Sequence, residues 1–179
     1  MTDTQKHLDK TVDFITGKEV PNTGAEGNRQ AVERFLVEAK GFSRKDIEVD
    51  AEMALTIEGK PYNSQIDLVI SVEGKRFMAA KCAAGSLGSR EREILAAARL
   101  IHDYQLPVSI VSDGITAIVL DTNSGRKTGE GLDAIPSFKK AVVAIEKADL
   151  QPLPDKRAEK EKLIFRSYDT MNVNVARNL

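Results

Sequence analysis

The middle of the chain carries three short runs of apolar and β-branched residues, and this pattern constrains the fold more than any other feature. Tight-turn residues separate the runs, which span 47–59, 63–74 and 76–85. Gly59 with Pro61 marks the first turn, and Gly74 marks the second. Short runs joined by such turns are typical of consecutive antiparallel strands. The sequence therefore predicts a three-stranded antiparallel meander whose faces other elements must cover.

Helical patterns precede these strands. Apolar residues recur at helical spacing near the amino end, which predicts a helix over residues 8–17. Thr23 and Glu26 have the spacing of a capping box, so a second helix is expected to begin at or just after Thr23. Gly41 is a natural stop for that helix.

The second half of the chain alternates helices and strands. Ser89 is expected to be the N-cap of a long helix over residues 90–104. The next patterns predict two strands, a glycine-rich loop and a last helix, over 107–113, 115–121, 123–132 and 136–148. This order of elements favours an α/β fold in which helices cover both faces of a mixed sheet.

Composition excludes several classes of protein. No apolar run approaches the roughly 18 residues of a membrane span, and the amino end is polar, so we expect a cytoplasmic protein with no membrane partner. The single cysteine, Cys82, rules out an internal disulfide framework. The 26 basic and 27 acidic residues give a net charge of −1, so any contact with nucleic acid must come from a local basic patch.

Changes in composition divide the chain into three segments. We expect an amino-terminal helix and loop over 1–25, an α/β core over 26–150 and a charged tail over 151–179. The tail begins between prolines and is poor in apolar residues, which is typical of a linker or a solvated helix.

Two charged residues interrupt the predicted strands. Asp67 lies between Ile66 and Leu68, and Lys81 follows a run of apolar residues ending at Ala80. One interpretation is that each side chain points to the solvated face of a half-exposed strand. The other is a shared site on neighbouring strands, since a buried charge needs a partner or an ion. An aspartate and a lysine together suit metal-assisted phosphodiester hydrolysis, in which the carboxylate holds Mg²⁺ and the lysine stabilises charge on the phosphate.

A longer pattern extends this interpretation. The string TGKEVPNTGAEGNRQAVERFLVEAKG is followed by IEVD, IDLVI, FMAAKC and IVSDG. In its order and spacing, this series over roughly residues 12–135 resembles the amino-terminal nuclease domain of type I restriction enzyme R subunits, in the PD-(D/E)xK superfamily. The resemblance implies a restriction-endonuclease-like three-layer α/β/α core and cleavage of DNA with Mg²⁺, or with Mn²⁺ in its place.

The resemblance also implies site residues. Glu26 matches an acidic residue at the start of the first core helix, which often helps to hold metal or water, although it is equally the capping partner of Thr23. Asp67 matches the metal-binding aspartate, and Lys81 matches the lysine of the E-x-K element. The implied catalytic set is thus Asp67, Lys81 and Glu26, with Asp67 and Glu26 on the metal.

The chain departs from the family pattern at Ala79, where the second metal-binding carboxylate is expected. Some members of the superfamily carry this glutamate on the following helix, and Glu91 and Glu93 lie near the start of that helix. Either could complete the site as a catalytic residue, with Glu93 as a further metal ligand. Both also suit a helix amino terminus without any catalytic role.

The same helix start offers contacts to DNA. The loop from Gly85 to Ser89 could bind a phosphate through backbone N–H groups, which makes Ser86 and Ser89 candidates. Arg90 and Arg92 could contact phosphates beside it. The resemblance implies DNA and restriction-system subunits as partners, and a homodimer fits because double-strand cutting usually needs two active sites. The alternative is an inactive nucleic-acid-binding or assembly module on the same fold, which Ala79 favours.

Overall fold

The computed structural model describes residues 9–177, with side chains described as far as residue 172. Eight strands run over β1 (Lys10–Val12), β2 (Glu19–Pro21), β3 (Ile47–Ile57), β4 (Lys60–Val72), β5 (Lys75–Cys82), β6 (Val108–Ser112), β7 (Ala117–Asp121) and β8 (Lys127–Glu130). Four α-helices run over α1 (Gly24–Glu38), α2 (Glu91–Leu100), α3 (Phe138–Lys147) and α4 (Asp155–Arg177).

The predicted meander is confirmed. Strands β3, β4 and β5 pair antiparallel in that order, through two-residue turns at Glu58–Gly59 and Glu73–Gly74. All four turn residues have positive φ angles, of 50°, 76°, 50° and 74°. Two successive positive φ angles match the right-handed twist of the strands, which explains why a glycine closes each turn.

The meander belongs to a six-stranded mixed sheet with the order β3-β4-β5-β6-β7-β8. Strand β6 is parallel to β5, and α2 makes the crossover between them. Strand β7 returns antiparallel to β6, and both lie within the segments predicted to be strands. Strand β8 lies within the segment expected to be a glycine-rich loop, so that expectation is wrong over residues 127–130. The sequence KTGE carries too little apolar pattern to reveal an edge strand, whose pairing with β7 decides its conformation.

Helices cover both faces of this sheet, which confirms the α/β fold. One core contains Leu36 of α1, Ile145 of α3 and the side chains of one sheet face. The other core contains Ile94 of α2, Phe165 of α4 and side chains of the opposite face. The sheet is therefore the middle of three layers.

The helix expected over residues 8–17 is wrong. Strands β1 and β2 form a small separate hairpin instead, and Leu8 lies outside the described residues. The Asp13 side chain accepts hydrogen bonds from the N–H groups of Ile15 and Thr16, at 3.1 and 2.7 Å. These bonds hold a local turn that reverses the chain and competes with a helix.

The predicted N-cap is confirmed for α1 and is wrong for α2. Thr23 caps α1, and its side chain accepts from the N–H of Glu26. Ser89 does not cap α2. It lies in a 3-10 turn over Gly88–Arg90, where its hydroxyl donates to the Ser86 carbonyl, and Arg90 is the N-cap of the helix. Helix α2 also ends at Leu100, earlier than the predicted 104.

The charged carboxyl-terminal segment is more than a solvated tail. Helix α4 packs along α2, with Glu161 and Phe165 only 2% exposed. A buried face on this helix ties it to the same layers as residues 26–150. Among residues 9–177, no helix is both long enough and apolar enough to cross a membrane.

Candidate functional site

Lys81 lies between two carboxylates near the end of β5. Its Nζ atom is 3.8 Å from Asp67 Oδ2 and 3.4 Å from Glu93 Oε1. Asp67 comes from the neighbouring strand β4, one position beyond the Leu68–Ala80 pair, and Glu93 comes from α2. We call Asp67, Lys81 and Glu93 the central triad. The structure thus brings together three of the residues singled out in the sequence.

The strands hold Asp67 firmly. Its Oδ2 atom accepts a hydrogen bond of 2.7 Å from the backbone N–H of Cys82. Burial raises the pKa of Asp67, and the charge of Glu93 adds to this effect, while Lys81 and the Cys82 N–H oppose it. Burial disfavours the charged form of a carboxyl, and a cation beside it stabilises that form. Carboxyl groups with such shifted pKa values are common at functional sites.

The carboxylate that approaches Lys81 from above the sheet belongs to Glu93 of α2, while position 79 is an alanine. Ala79 is completely buried in the core beneath α2, on the same sheet face as Lys81. A small residue there lets the helix approach the strand, and Glu93, itself 4% exposed, reaches Lys81 from above. The structure therefore places Glu93, one of the two helix glutamates named in the sequence, against Lys81, and its role in a metal site stays a prediction.

Two further side chains hold Glu93. Arg90 Nη1 donates to Glu93 Oε2 at 3.2 Å, and Asn172 Nδ2 donates to Glu93 Oε1 at 2.8 Å. Arg90 Nη1 also donates to Asn172 Oδ1 at 2.7 Å. Asn172 lies in the last described turns of α4, so that helix reaches the site. No sequence signal marks Asn172, because α4 is polar along most of its length.

The two carboxylates keep Lys81 charged. Burial alone would lower its pKa, but the charges of Asp67 and Glu93 outweigh burial and raise the pKa instead. Lys81 is thus a cation at neutral pH rather than a proton acceptor. Cys82, on the opposite face, is buried in the core beside α1, and burial raises the pKa of its thiol well above the usual value.

Glu26 lies in a second cluster rather than against Lys81. Its carboxylate is 2.7 Å from Arg29 Nη2 and accepts from Gln30 at 3.0 Å. Arg29 also pairs with Asp13 at 3.3 Å and Asp50 at 2.8 Å. Its positive charge also opposes, after Lys81 and the Cys82 N–H, the effect of burial that raises the pKa of Asp67. The structure therefore connects Glu26 to the central triad through Arg29, which the sequence interpretation missed.

A signal for Arg29 was present in the sequence. Glu26, Arg29, Glu33 and Leu36 recur at helical spacing on one face of α1. Charges in line with a buried leucine indicate a buried ion cluster. Glu33 is completely buried, and neither of its carboxylate oxygens has a hydrogen-bond partner. Burial, reinforced by the charge of Asp13, raises its pKa to about 8.

Asp50 joins this cluster to the sheet at a strained position. It lies opposite Asp67, between the pairs Val49–Leu68 and Ala51–Ile66, and its φ angle is 51°. A left-handed backbone is uncommon for a residue other than glycine and is often found at functional sites. Here the Asp50 carboxylate pairs with Arg29 beside Asp67.

The remaining candidates lie outside the central triad. Glu91 is partly exposed and contributes, after Glu130, to the raised pKa of Lys127 on β8. Arg92 makes two hydrogen bonds to Glu161, at 2.7 and 2.8 Å, so its guanidinium is already occupied. Ser86 and Ser89 are exposed in the loop before α2. Their contact with phosphate stays a prediction.

An open groove borders the central triad at Asp67. Its volume is about 680 Å³, and its lining comes from β3, β4 and α4, including Asp50, Ser64, Asp67 and Asp169. Asp169 accepts from the hydroxyls of Tyr62 and Ser64, at 2.6 and 2.9 Å. The groove is therefore acidic and polar beside Asp67.

The donor set suits a hard divalent cation. Asp67 and Glu93 approach the same lysine, and each carboxylate oxygen is a ligand that Mg²⁺ accepts together with several waters. Among residues 9–172, no group of three His, Cys, Asp or Glu side chains is arranged to hold a metal. Asp67 and Glu93 would therefore need several waters to complete the coordination of Mg²⁺.

These features define an α/β domain whose sheet, with α2, carries a lysine between two carboxylates. The model of the family described as the type I restriction enzyme R protein N terminus (HSDR_N) matches residues 24–136, which is more than half of the chain. The chain belongs to that family. Neither the comparison with curated proteins nor that with solved structures gave a match.

Proposed function

We propose that this chain is a metal-dependent DNA endonuclease domain of the PD-(D/E)xK type, acting in a restriction system. The observation that carries the proposal is the central triad, in which Glu93 of α2 stands beside Lys81 and Asp67. Membership of the R-subunit family supports DNA as the substrate. Other restriction subunits and a second copy of this chain are the proposed partners.

Asp67 and Glu93 would hold Mg²⁺ or Mn²⁺, while Arg29 holds Glu26 in the second cluster. The cation, when bound, would polarise the scissile phosphate and lower the pKa of an attacking water. Lys81 stabilises the negative charge that grows on the phosphate oxygens during attack. Because the pKa of Lys81 is raised, this lysine acts as a fixed positive charge.

A second candidate function is nucleic-acid binding without cleavage. The observation that favours it is the occupancy of Glu93, whose two oxygens already contact Arg90, Asn172 and Lys81. A carboxylate with three cationic or amide partners is a weaker metal ligand than a free one. This candidate predicts DNA affinity that persists without metal and after removal of the Lys81 amine.

Plasmid nicking separates the two functions. Supercoiled plasmid is incubated with the purified chain in Mg²⁺, in Mn²⁺ and in EDTA. We expect metal-dependent nicking, and a loss of about 100-fold or more for Lys81→Ala, Asp67→Asn and Glu93→Gln. Glu91→Gln is the matched control, since it changes a glutamate of the same helix outside the triad, and we expect it to stay within about threefold of wild type.

Circular dichroism and binding of Mn²⁺, followed by calorimetry, accompany the assay. Folded variants that lose both nicking and Mn²⁺ affinity at Asp67 and Glu93 would support the metal site. Full nicking by Asp67→Asn would refute the proposed nuclease. Absence of nicking in every metal, with DNA binding intact in EDTA, would establish the second candidate instead.

A further inference from the structure

Two arginines flank one phenylalanine next to the β1–β2 hairpin. The Arg34 guanidinium carbon lies 4.4 Å from the centre of the Phe14 ring, and that of Arg44 lies 4.1 Å from it. Both guanidinium groups are therefore within cation–π distance of the same ring. We call Phe14, Arg34 and Arg44 the arginine stack. Its members come from the hairpin loop, from α1 and from the turn before β3.

The loop that carries Phe14 is held in place. Asp13 Oδ1 accepts from the N–H of Thr16 at 2.7 Å, and Asp13 Oδ2 pairs with Arg29 at 3.3 Å. Cation–π contact then orients both arginines against the ring. A site whose side chains are ordered before binding loses less conformational entropy when a ligand arrives.

The arginine stack is also unusual in its charge. Most arginines of the described chain pair with a carboxylate: Arg29, Arg76, Arg90, Arg92, Arg99 and Arg166. Among residues 9–172, no carboxylate pairs with Arg34 or Arg44, although both are exposed. Lys18 and Lys45 are exposed beside them in sequence and likewise lack a carboxylate partner there. This patch of four basic side chains therefore has no ion-pair partner within the described chain.

Contacts link this patch to the central triad. Asp13, which precedes Phe14, binds Arg29, and Arg29 binds Asp50, which lies opposite Asp67 in the sheet. The groove beside Asp67 is acidic and would repel phosphates, whereas the arginine stack would attract them. A polyanion that reaches Asp67 thus finds its anchor on the hairpin side.

We propose that the arginine stack binds the backbone phosphates of duplex DNA, flanking the position of cleavage; the choice of DNA rests on the function proposed above. A guanidinium group can donate two parallel hydrogen bonds to the oxygens of one phosphate. Neither Arg34 nor Arg44 donates to a carboxylate within the described chain, so their N–H groups remain available. Phosphate contacts fix the position of a duplex without reading its sequence. The stack therefore sets register and affinity, and base preference must come from elsewhere.

Equilibrium binding of a labelled short duplex, measured in EDTA, tests this site without any cleavage. The double variant Arg34→Gln/Arg44→Gln is expected to bind about tenfold more weakly, with a salt dependence reduced by about two phosphate contacts. Arg126→Gln is the matched control, because Arg126 is an exposed arginine that also lacks a carboxylate partner in the described chain. Its affinity is expected to stay within about twofold of wild type.

Phe14→Leu keeps both charges and removes the ring, so an intermediate loss would support the stack over charge alone. Wild-type affinity in the double variant, or an equal loss in Arg126→Gln, would overturn the inference, as would an absence of DNA binding by the wild-type chain. The nuclease proposal fails separately. A wild-type chain that never nicks plasmid, but binds DNA through Arg34 and Arg44, would retain the stack and lose the catalytic function.

Discussion

Two buried glutamates, one on α2 and one packed against it, have different sets of partners. Glu161 of α4 accepts three hydrogen bonds, two from Arg92 and one from Arg99 at 3.0 Å, and lies away from the groove. Glu93 accepts from Arg90 and Asn172 and lies 3.4 Å from Lys81, whose other neighbour, Asp67, lines the groove. The first cluster is closed by arginines alone, whereas the second has a lysine that also faces another carboxylate.

The difference teaches where to expect function. Arginine and glutamate in several hydrogen bonds form a rigid contact, and here that contact fastens α4 to α2. A lysine between two carboxylates that are not hydrogen-bonded to each other leaves charge that a metal or a phosphate can engage. Burial alone does not separate the two, because both glutamates are almost inaccessible.

The largest loss of stability is expected when each of these two glutamates is replaced by alanine in a separate variant. Glu161→Ala leaves Arg99, which is 6% exposed, without its carboxylate, so we expect a loss of about 3–5 kcal/mol in the free energy of unfolding. Glu93→Ala leaves the more accessible Lys81 and Arg90, and a loss of about 1 kcal/mol is expected together with loss of nicking. Urea denaturation measures the free energy of unfolding of both variants, and the plasmid assay measures nicking.

Glu159→Ala is the control for this pair, because Glu159 is exposed on the same helix as Glu161. Its free energy of unfolding should equal that of wild type. Equal losses for Glu161→Ala and Glu93→Ala would contradict the distinction between a fastening cluster and a functional one.

A third buried glutamate extends the comparison, with a smaller expected effect. Glu33 has no hydrogen-bond partner, and its pKa is about 8 in the folded chain against an ordinary value of 4.5. Between these values the folded chain binds more protons than the unfolded chain, so the free energy of unfolding falls as pH rises through this window. Glu33→Gln removes the titrating group and should stabilise the chain by about 2–3 kcal/mol near pH 6.5, and by more toward pH 8.

Urea denaturation from acidic to alkaline pH checks this expectation. The stability of the Glu33→Gln variant should match wild type at the acid end and exceed it increasingly toward pH 8. The lowered pKa of Asp13 acts at more acidic pH and does not produce this trend. Parallel curves for the two proteins would show that Glu33 does not titrate in this window.

The smallest effect should come from Asn172. Asn172→Ala removes the amide that holds Glu93 Oε1, while Arg90 still holds Oε2. We expect the Mg²⁺ concentration for half-maximal nicking to change by about threefold to tenfold, with little change in thermal stability. Met171→Ala, at the exposed neighbouring position, is the control. An unchanged metal requirement in Asn172→Ala would remove α4 from the site.

Sequence patterns predicted the parts of the fold that local chemistry decides. The meander followed from Gly59 and Gly74, which supply the positive φ angles of its turns. The amino-terminal helix was wrong because the Asp13 turn and strand pairing override helical spacing in so short a segment. The packing of α4 was missed because one buried glutamate and one phenylalanine in a charged helix leave a weak apolar pattern.

The site was partly predictable for a similar reason. Asp67 and Lys81 stood out as charges inside apolar runs, and the structure places their side chains together. Glu93 was one of two candidates, and only the rotation of α2 decides that it, rather than Glu91, lies over Lys81. Asn172 could not be found, since its contact joins residues far apart in the chain.

The central triad is divided between two elements that can move relative to each other, the sheet and α2. Asp67 and Lys81 belong to neighbouring strands, whose backbone hydrogen bonds keep their spacing constant. Glu93 travels with α2, which rests on the sheet through side chains alone, and packed helices can slide by about 1–2 Å. The distance from Lys81 Nζ to Glu93 Oε1 therefore reports where α2 lies on the sheet, and a ligand that pulls on the exposed loop before α2 would change it directly.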